Sequence, residues 1–157
     1  MIRLKIVGFE LEDWERKSFD KLKEQHEVLL TDKAVSENLE SQYQDADIIS
    51  TCIYSNLNKT ALEQLNKIKV ISIRSTGLNH MDIDYCRTNN IGVSNVPAYG
   101  QNTVAEHAFA LLLAISRRIP EAVQRTRSGS FSQEGLQGFD LKEKTLGVIG
   151  TGYIGKR

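Results

Sequence analysis

Gly150, Gly152 and Gly155 stand at the spacing G-x-G-x-x-G, directly after the apolar run Thr145-Leu146-Gly147-Val148-Ile149. This pattern suits a pyrophosphate. The first glycine permits a tight turn out of a strand, the second lets an anion approach bare backbone at a helix N-terminus, and the third allows close helix–strand packing. Tyr153 and Ile154 would sit at the tip, where backbone N–H groups point outward. The strand-like run in front lifts the motif above a glycine-rich turn that binds nothing. Such sites also use an acidic residue about 20 positions further on to hold a ribose, whereas the 157-residue sequence stops two residues after Gly155. The sequence therefore predicts a nucleotide-dependent enzyme with a shortened nucleotide unit.

Two other stretches carry candidate chemistry. In Arg74-Ser75-Thr76-Gly77-Leu78-Asn79-His80-Met81-Asp82, which follows an apolar run, consecutive backbone N–H groups of Thr76, Gly77 and Leu78 could form an anion nest at a strand's carboxyl end. The same residues also read as a plain turn, with Gly77 at positive φ and Asp82 capping the next helix. In Asn95-Val96-Pro97-Ala98-Tyr99-Gly100-Gln101-Asn102-Thr103-Val104-Ala105-Glu106-His107, Tyr99 could aim a phenol at a ligand or be an ordinary loop tyrosine. Asn102 or Thr103 could cap the helix that follows, with Glu106 in its positive first turn. His107 and His80 have no nucleophile elbow beside them, so packing or capping roles are expected, and His26 reads as surface.

These candidates need a scaffold. Apolar runs at Arg3–Gly8, Glu27–Thr31, Asp47–Ile53, Val70–Arg74 and Gly92–Val96 read as strands. Helical patterns lie between them at Asp13–Gln25, Ser36–Tyr43, Lys59–Leu65 and Met81–Asn89, with Thr60 and Asp82 as candidate caps. Strand–helix alternation with β-branched strands predicts an α/β fold with a doubly wound parallel sheet, the flavodoxin-like order 2-1-3-4-5 being preferred over the classic dinucleotide order. A long helix is expected from about Asn102 to Arg118, stopped by Pro120, and its apolar faces demand burial all round. Residues 128–144 read as a surface crossing. The expected organisation is a substrate domain over 1–98, a helix and connector over 99–144, and the first strand of a nucleotide domain at 145–157.

Composition narrows the classes. Twenty basic and twenty acidic residues give no net charge, which argues against a nucleic-acid partner. Cys52 and Cys86 form neither metal spacing nor a disulfide framework, which suits free thiols in a reducing cytoplasm. No targeting segment is read at the N-terminus, and the run Ala108–Ile115 is far short of the roughly 20 residues of a membrane span.

Together the motifs at 74–82, 96–99 (Val-Pro-Ala-Tyr), 104–107 (Val-Ala-Glu-His, followed by the leucine-rich helix) and 144–155 resemble the D-isomer-specific 2-hydroxyacid dehydrogenases, in the family's order and over essentially the whole chain. The resemblance implies a flavodoxin-like substrate domain, a Rossmann domain inserted in it, and hydride transfer between NAD(H) and a 2-hydroxy or 2-oxo acid. It implies that Thr76, Gly77 and Leu78 meet the substrate carboxylate or the nicotinamide edge, and that Tyr99 lines the substrate pocket. Val104 would face the nicotinamide. Gly150, Gly152, Tyr153, Ile154 and Gly155 would hold the pyrophosphate, and the 102–118 helix would link domains and build a homodimer. The family's catalytic arginine, glutamate and histidine follow the glycine motif. None of Arg117, Arg118, Arg125, Arg127 or Arg157 takes that arginine's motif position, so these 157 residues alone are expected to be inactive. The acid substrate and the choice of NAD or NADP stay open.

Two rival readings remain. A phosphoacceptor receiver would need an aspartate after the third strand, where the sequence reads Cys52-Ile53-Tyr54-Ser55-Asn56. A non-catalytic module of the same fold, binding a small acid or assembling through the 102–118 helix, is the alternative.

Overall fold

The β-branched runs make parallel strands because their side chains are buried on both faces of one sheet. The computed structural model describes residues 2–157. It forms β1 (Lys5–Gly8), β2 (Glu27–Leu30), β3 (Ile48–Thr51), β4 (Val70–Ile73) and β5 (Gly92–Ser94). Their order is β2-β1-β3-β4-β5, with every neighbouring pair parallel, which is the expected doubly wound α/β arrangement. Val7, Ile49 and Ile71 lie in register across the three central strands and are fully buried. Each such side chain contributes about 1.5–3 kcal/mol by leaving water. Phe9 and Tyr43 meet edge to face at 5.1 Å beside them.

The strands are shorter than the apolar runs. Before β3, the Asp47 carboxylate accepts the Lys5 backbone N–H at 2.9 Å and the Lys69 ammonium at 2.7 Å. After it, the chain turns at Cys52.

The helices are shorter too. They are α1 (Asp20–Lys23, entered through a 3-10 turn at Arg16–Phe19), α2 (Lys59–Leu62) and α3 (Ile83–Thr88). Of the expected Ser36–Tyr43 helix, only a 3-10 turn at Ser41–Tyr43 forms. Side chains compete for the backbone there: Val35 N–H donates to Ser55 Oγ at 2.9 Å, and Leu39 N–H to Gln64 Oε1 at 3.0 Å. Asn58, rather than Thr60, caps α2, accepting the Ala61 N–H at 3.0 Å. Asp82 caps α3 as expected, accepting from Tyr85 N–H at 2.9 Å.

Contacts divide the chain into two units, one running to Tyr99 and the other Gly100–Arg157. The second holds α4 (Gln101–Ser116) and α5 (Ile119–Arg127), and three expectations are corrected in it. Pro120 does not stop a helix. The helix breaks at Arg117 and Arg118, Arg118 being left-handed with φ 54°, and Pro120 opens α5, where a missing N–H costs nothing. Residues 145–149, expected to be the first strand of a Rossmann domain, form no strand, because no described strand pairs with them and an isolated strand makes no ladder. Nor is α4 buried all round: Phe109, Leu111, Leu113 and Ile115 are each about half exposed or more, and Ser116 is its one buried residue. No described helix is long and apolar enough to cross a membrane.

Candidate functional site

Open parallel sheets present ligand residues where strands end and loops begin. At the carboxyl end of β4 the chain leaves the sheet through Arg74, buried Ser75, exposed Thr76 and Gly77, and half-buried Leu78. The N–H groups of Thr76, Gly77 and Leu78 have no acceptor among the described residues. Unpaired donors on consecutive residues at a strand end can form an anion-binding concavity. Gly77 is not among the residues at positive φ, and an added Cβ there would meet nothing within 4 Å. The expected positive φ at Gly77 is therefore not seen, whereas Asp82 does cap the next helix.

This loop is fixed on three sides. Val96 N–H donates to Ser75 O at 3.1 Å, Thr76 Oγ1 donates to Val96 O at 2.8 Å, and the Asn95 amide donates to Thr76 O at 2.9 Å. Arg74 N–H donates to Thr51 O at 2.7 Å. At the far end Leu57 pairs with Met81: Leu57 N–H donates to His80 O at 2.9 Å, and Asp82 N–H to Leu57 O at 3.0 Å. The loop after β3 thus runs alongside the loop after β4.

Beneath this rim lies a polar cluster that sequence reasoning missed. Glu10, two residues past β1 and left-handed at φ 53°, accepts from Thr51 Oγ1 at 2.6 Å, from the N–H groups of Tyr54 and Ser55 at 2.8 Å each, and from Ser55 Oγ. Burial works against its charge, but these hydrogen bonds outweigh it and hold the carboxyl below the usual glutamate range. The Arg74 guanidinium reaches Glu15 at 3.2 Å, Ser50 Oγ at 3.1 Å, and the carbonyls of Phe9 and Glu10 at 2.8 and 2.9 Å. The available signal was position: a carboxylate just past the first strand of an open α/β sheet. Tyr54, held by this cluster through its backbone, leaves its side chain 81% exposed.

Tyr99 is exposed in the turn after β5. In the second unit Val104 lies half exposed in the first turn of α4. That helix starts at Gln101 with Gly100 before it, so Asn102 and Thr103 are already inside and neither caps it. His107 is exposed on α4, and no hydrogen bond of its side chain is seen among the described residues. His80, half-buried beside the nest, keeps a buried Nε2 without a partner.

Gly150, Gly152, Tyr153, Ile154 and Gly155 are all exposed. Gly150 adopts φ +96°, and a Cβ on Gly155 would lie 2.0 Å from Gly150 O, so the outer glycines are required by the turn itself. A Cβ on Gly152 would meet nothing within 4 Å, which leaves its backbone open to a ligand. A single helical turn follows, Lys156 N–H donating to Gly152 O at 3.2 Å. The turn suits a pyrophosphate, although no strand leads into it.

Comparison with known proteins gives the chain's family. A family model described as D-isomer specific 2-hydroxyacid dehydrogenase, catalytic domain, matches residues 6–140. The chain belongs to this family. It is 44% identical over 110 residues to D-lactate dehydrogenase of Escherichia coli, covering 68% of this chain and 33% of that protein. It is 36% identical over 156 residues to an aromatic 2-oxoacid reductase of Clostridium sporogenes, covering 97% and 47%. The solved D-lactate dehydrogenase of Aquifex aeolicus, complexed with NAD and lactic acid, superposes with a TM-score of 0.86 at 31% identity, covering 96% of this chain and 46% of that one. The chain spans about half or less of the length of the curated relatives it matches. The chain is thus an α/β protein of the 2-hydroxyacid dehydrogenase family, and residues 74–82 lie inside the matched region.

Proposed function

We propose that this chain carries the acid-binding rim of a D-2-hydroxyacid dehydrogenase and the turn that opens its dinucleotide site. The carrying observation is the row of unpaired N–H groups on Thr76, Gly77 and Leu78 at the end of β4. These donors would take the carboxylate of a 2-hydroxy or 2-oxo acid, since charge-assisted hydrogen bonds to bare amides are the strong kind. Tyr99 would line the pocket for the acid. NAD would be held by Gly150, Gly152, Tyr153, Ile154 and Gly155 at the pyrophosphate and by Thr76 and Val104 at the nicotinamide; it supplies or accepts the hydride. A relative solved with NAD and lactic acid supports this reading.

These 157 residues by themselves would bind the acid without reducing it. Protonating a 2-oxo group needs a general acid held by a partner, and no histidine pairs with a carboxylate among the described residues. The chain works in the cytoplasm, and the half-exposed apolar side of α4 suits a homodimer. Calorimetry with oxalate, lactate and succinate tests the site. Oxalate and lactate are expected to bind and succinate to bind at least tenfold more weakly. Equal binding of all three, or of none, would contradict the reading. Enzyme-scale turnover of NADH with pyruvate would contradict the predicted inactivity.

A further inference from the structure

The loop after β3 bears no ligand role in the proposal above, yet its backbone is held more firmly than an exposed turn requires. Tyr54 and Ser55 give both their N–H groups to Glu10, and the Ser55 hydroxyl bonds Glu10 and also Thr51 Oγ1, at 2.5 Å. Two residues on, Leu57 pairs with His80 and Met81 at the end of the anion nest. At the nest's start, Arg74 donates to the Glu10 carbonyl and to the backbone of Thr51. One residue therefore anchors, through two chains of bonds, both ends of the segment 75–80. Glu10 also sits at a left-handed φ, a conformation that is unfavourable for an ordinary residue and persists where the surroundings over-determine it.

We propose that Glu10 is a positioning residue for acid binding: its carboxylate sets the 54–57 loop, and through Leu57 the spacing of the Thr76–Leu78 amides. This rests on the reading of those amides as the seat of the carboxylate. Glu10 itself touches no ligand in this account, because both of its carboxylate oxygens are engaged by Thr51, Tyr54 and Ser55. The charged groups around it are Arg74, bonded to its carbonyl, and Glu15, bonded to Arg74. Glutamine at this position keeps one acceptor oxygen and replaces the other with a donor. It can satisfy the Ser55–Thr51 side or the Tyr54 N–H, but not both.

The experiment uses the chain itself, comparing wild type with Glu10→Gln and Glu10→Ala by amide hydrogen exchange, amide chemical shifts and oxalate titration, each variant first checked by its melting curve. Exchange at Tyr54 and Ser55 is expected to quicken at least tenfold in Glu10→Ala. Oxalate affinity is expected to fall at least fivefold, with Glu10→Gln intermediate in both, while the β1–β3 amides stay protected. If the alanine variant does not fold, Glu10→Gln decides alone. Unchanged oxalate affinity in a folded variant whose 54–55 amides have loosened overturns the proposal, since Glu10 would then be a brace with no bearing on the ligand. Unchanged exchange overturns it as well. If wild-type chain binds no oxalate, the functional reading fails separately. Displaced Gly77 and Leu78 amide shifts in Glu10→Gln would still support the coupling, and unmoved shifts would refute it.

Discussion

The two units use similar proportions of leucine, isoleucine and valine to opposite ends. Up to Tyr99, apolar side chains from β1, β3 and β4 meet those of α2 and α3 in one closed core, with Val7, Ile49, Leu57 and Ile71 sealed from water. From Gly100 onward the apolar side chains of α4 lie open, and the one buried residue is a serine. The first region is stable through its own packing. The second leaves most of its apolar surface outside any core of its own. Candidate ligand groups occur in both, but only in the first do several neighbouring segments hold them in place.

Core truncation draws that contrast most sharply. Ile71→Ala should destabilise the first unit by about 2–5 kcal/mol, read from urea denaturation followed by the near-ultraviolet signal of its tyrosines. Ile115→Ala, the same chemistry at a residue 67% exposed, should stay within about 0.5 kcal/mol. A comparable loss at both positions would mean that α4 is covered after all.

Glycine substitutions probe the second unit where backbone approaches backbone. Gly138→Ala would put a methyl group 2.0 Å from Ser116 O, and overpacking of this kind costs about 1–3 kcal/mol. The amide signal of Phe139, which donates to Ser116 O at 2.9 Å, should shift or vanish. Gly152→Ala should leave every amide away from its own turn unmoved, as there is open space around it.

A smaller effect belongs to a helix cap. Asp82→Ala removes the acceptor for Tyr85 N–H and should cost about 1 kcal/mol, visible as a lower urea midpoint of the first unit alone. Acid should weaken that same unit. Glu10 and Asp47 both titrate below their ordinary values, Asp47 through the Lys5 N–H and then the Lys69 ammonium. A depressed carboxyl stabilises the fold above its unfolded pKa of about 4, and that contribution is lost as pH falls through the lower folded value. The urea midpoint should therefore be flat from pH 7 to about pH 5 and decline below pH 4, with a shallower decline in Glu10→Gln.

Particular residues explain what could be read from sequence. The five strands were legible because Ile48-Ile49 and Val70-Ile71 carry a local signal of burial on both faces. Alternation with helices narrowed their order to two doubly wound arrangements, of which the preferred one forms. The run 145–149 has the same local character and forms no strand, because a strand also needs a partner that local composition does not reveal. Pro120 was legible as a boundary but not as which boundary, since proline both ends helices and begins them. The Thr76–Leu78 rim was visible in its motif. Glu10 was not, because its role depends on Thr51 and Ser55, more than 40 residues away.

The most direct test of the account is a titration of the isotopically labelled chain with oxalate, following each backbone amide. The account predicts that Thr76, Gly77 and Leu78 shift together along one binding curve, with Tyr54 and Ser55 following more weakly and the α4 amides still. Saturable shifts confined to other residues, with these three unmoved, would contradict it.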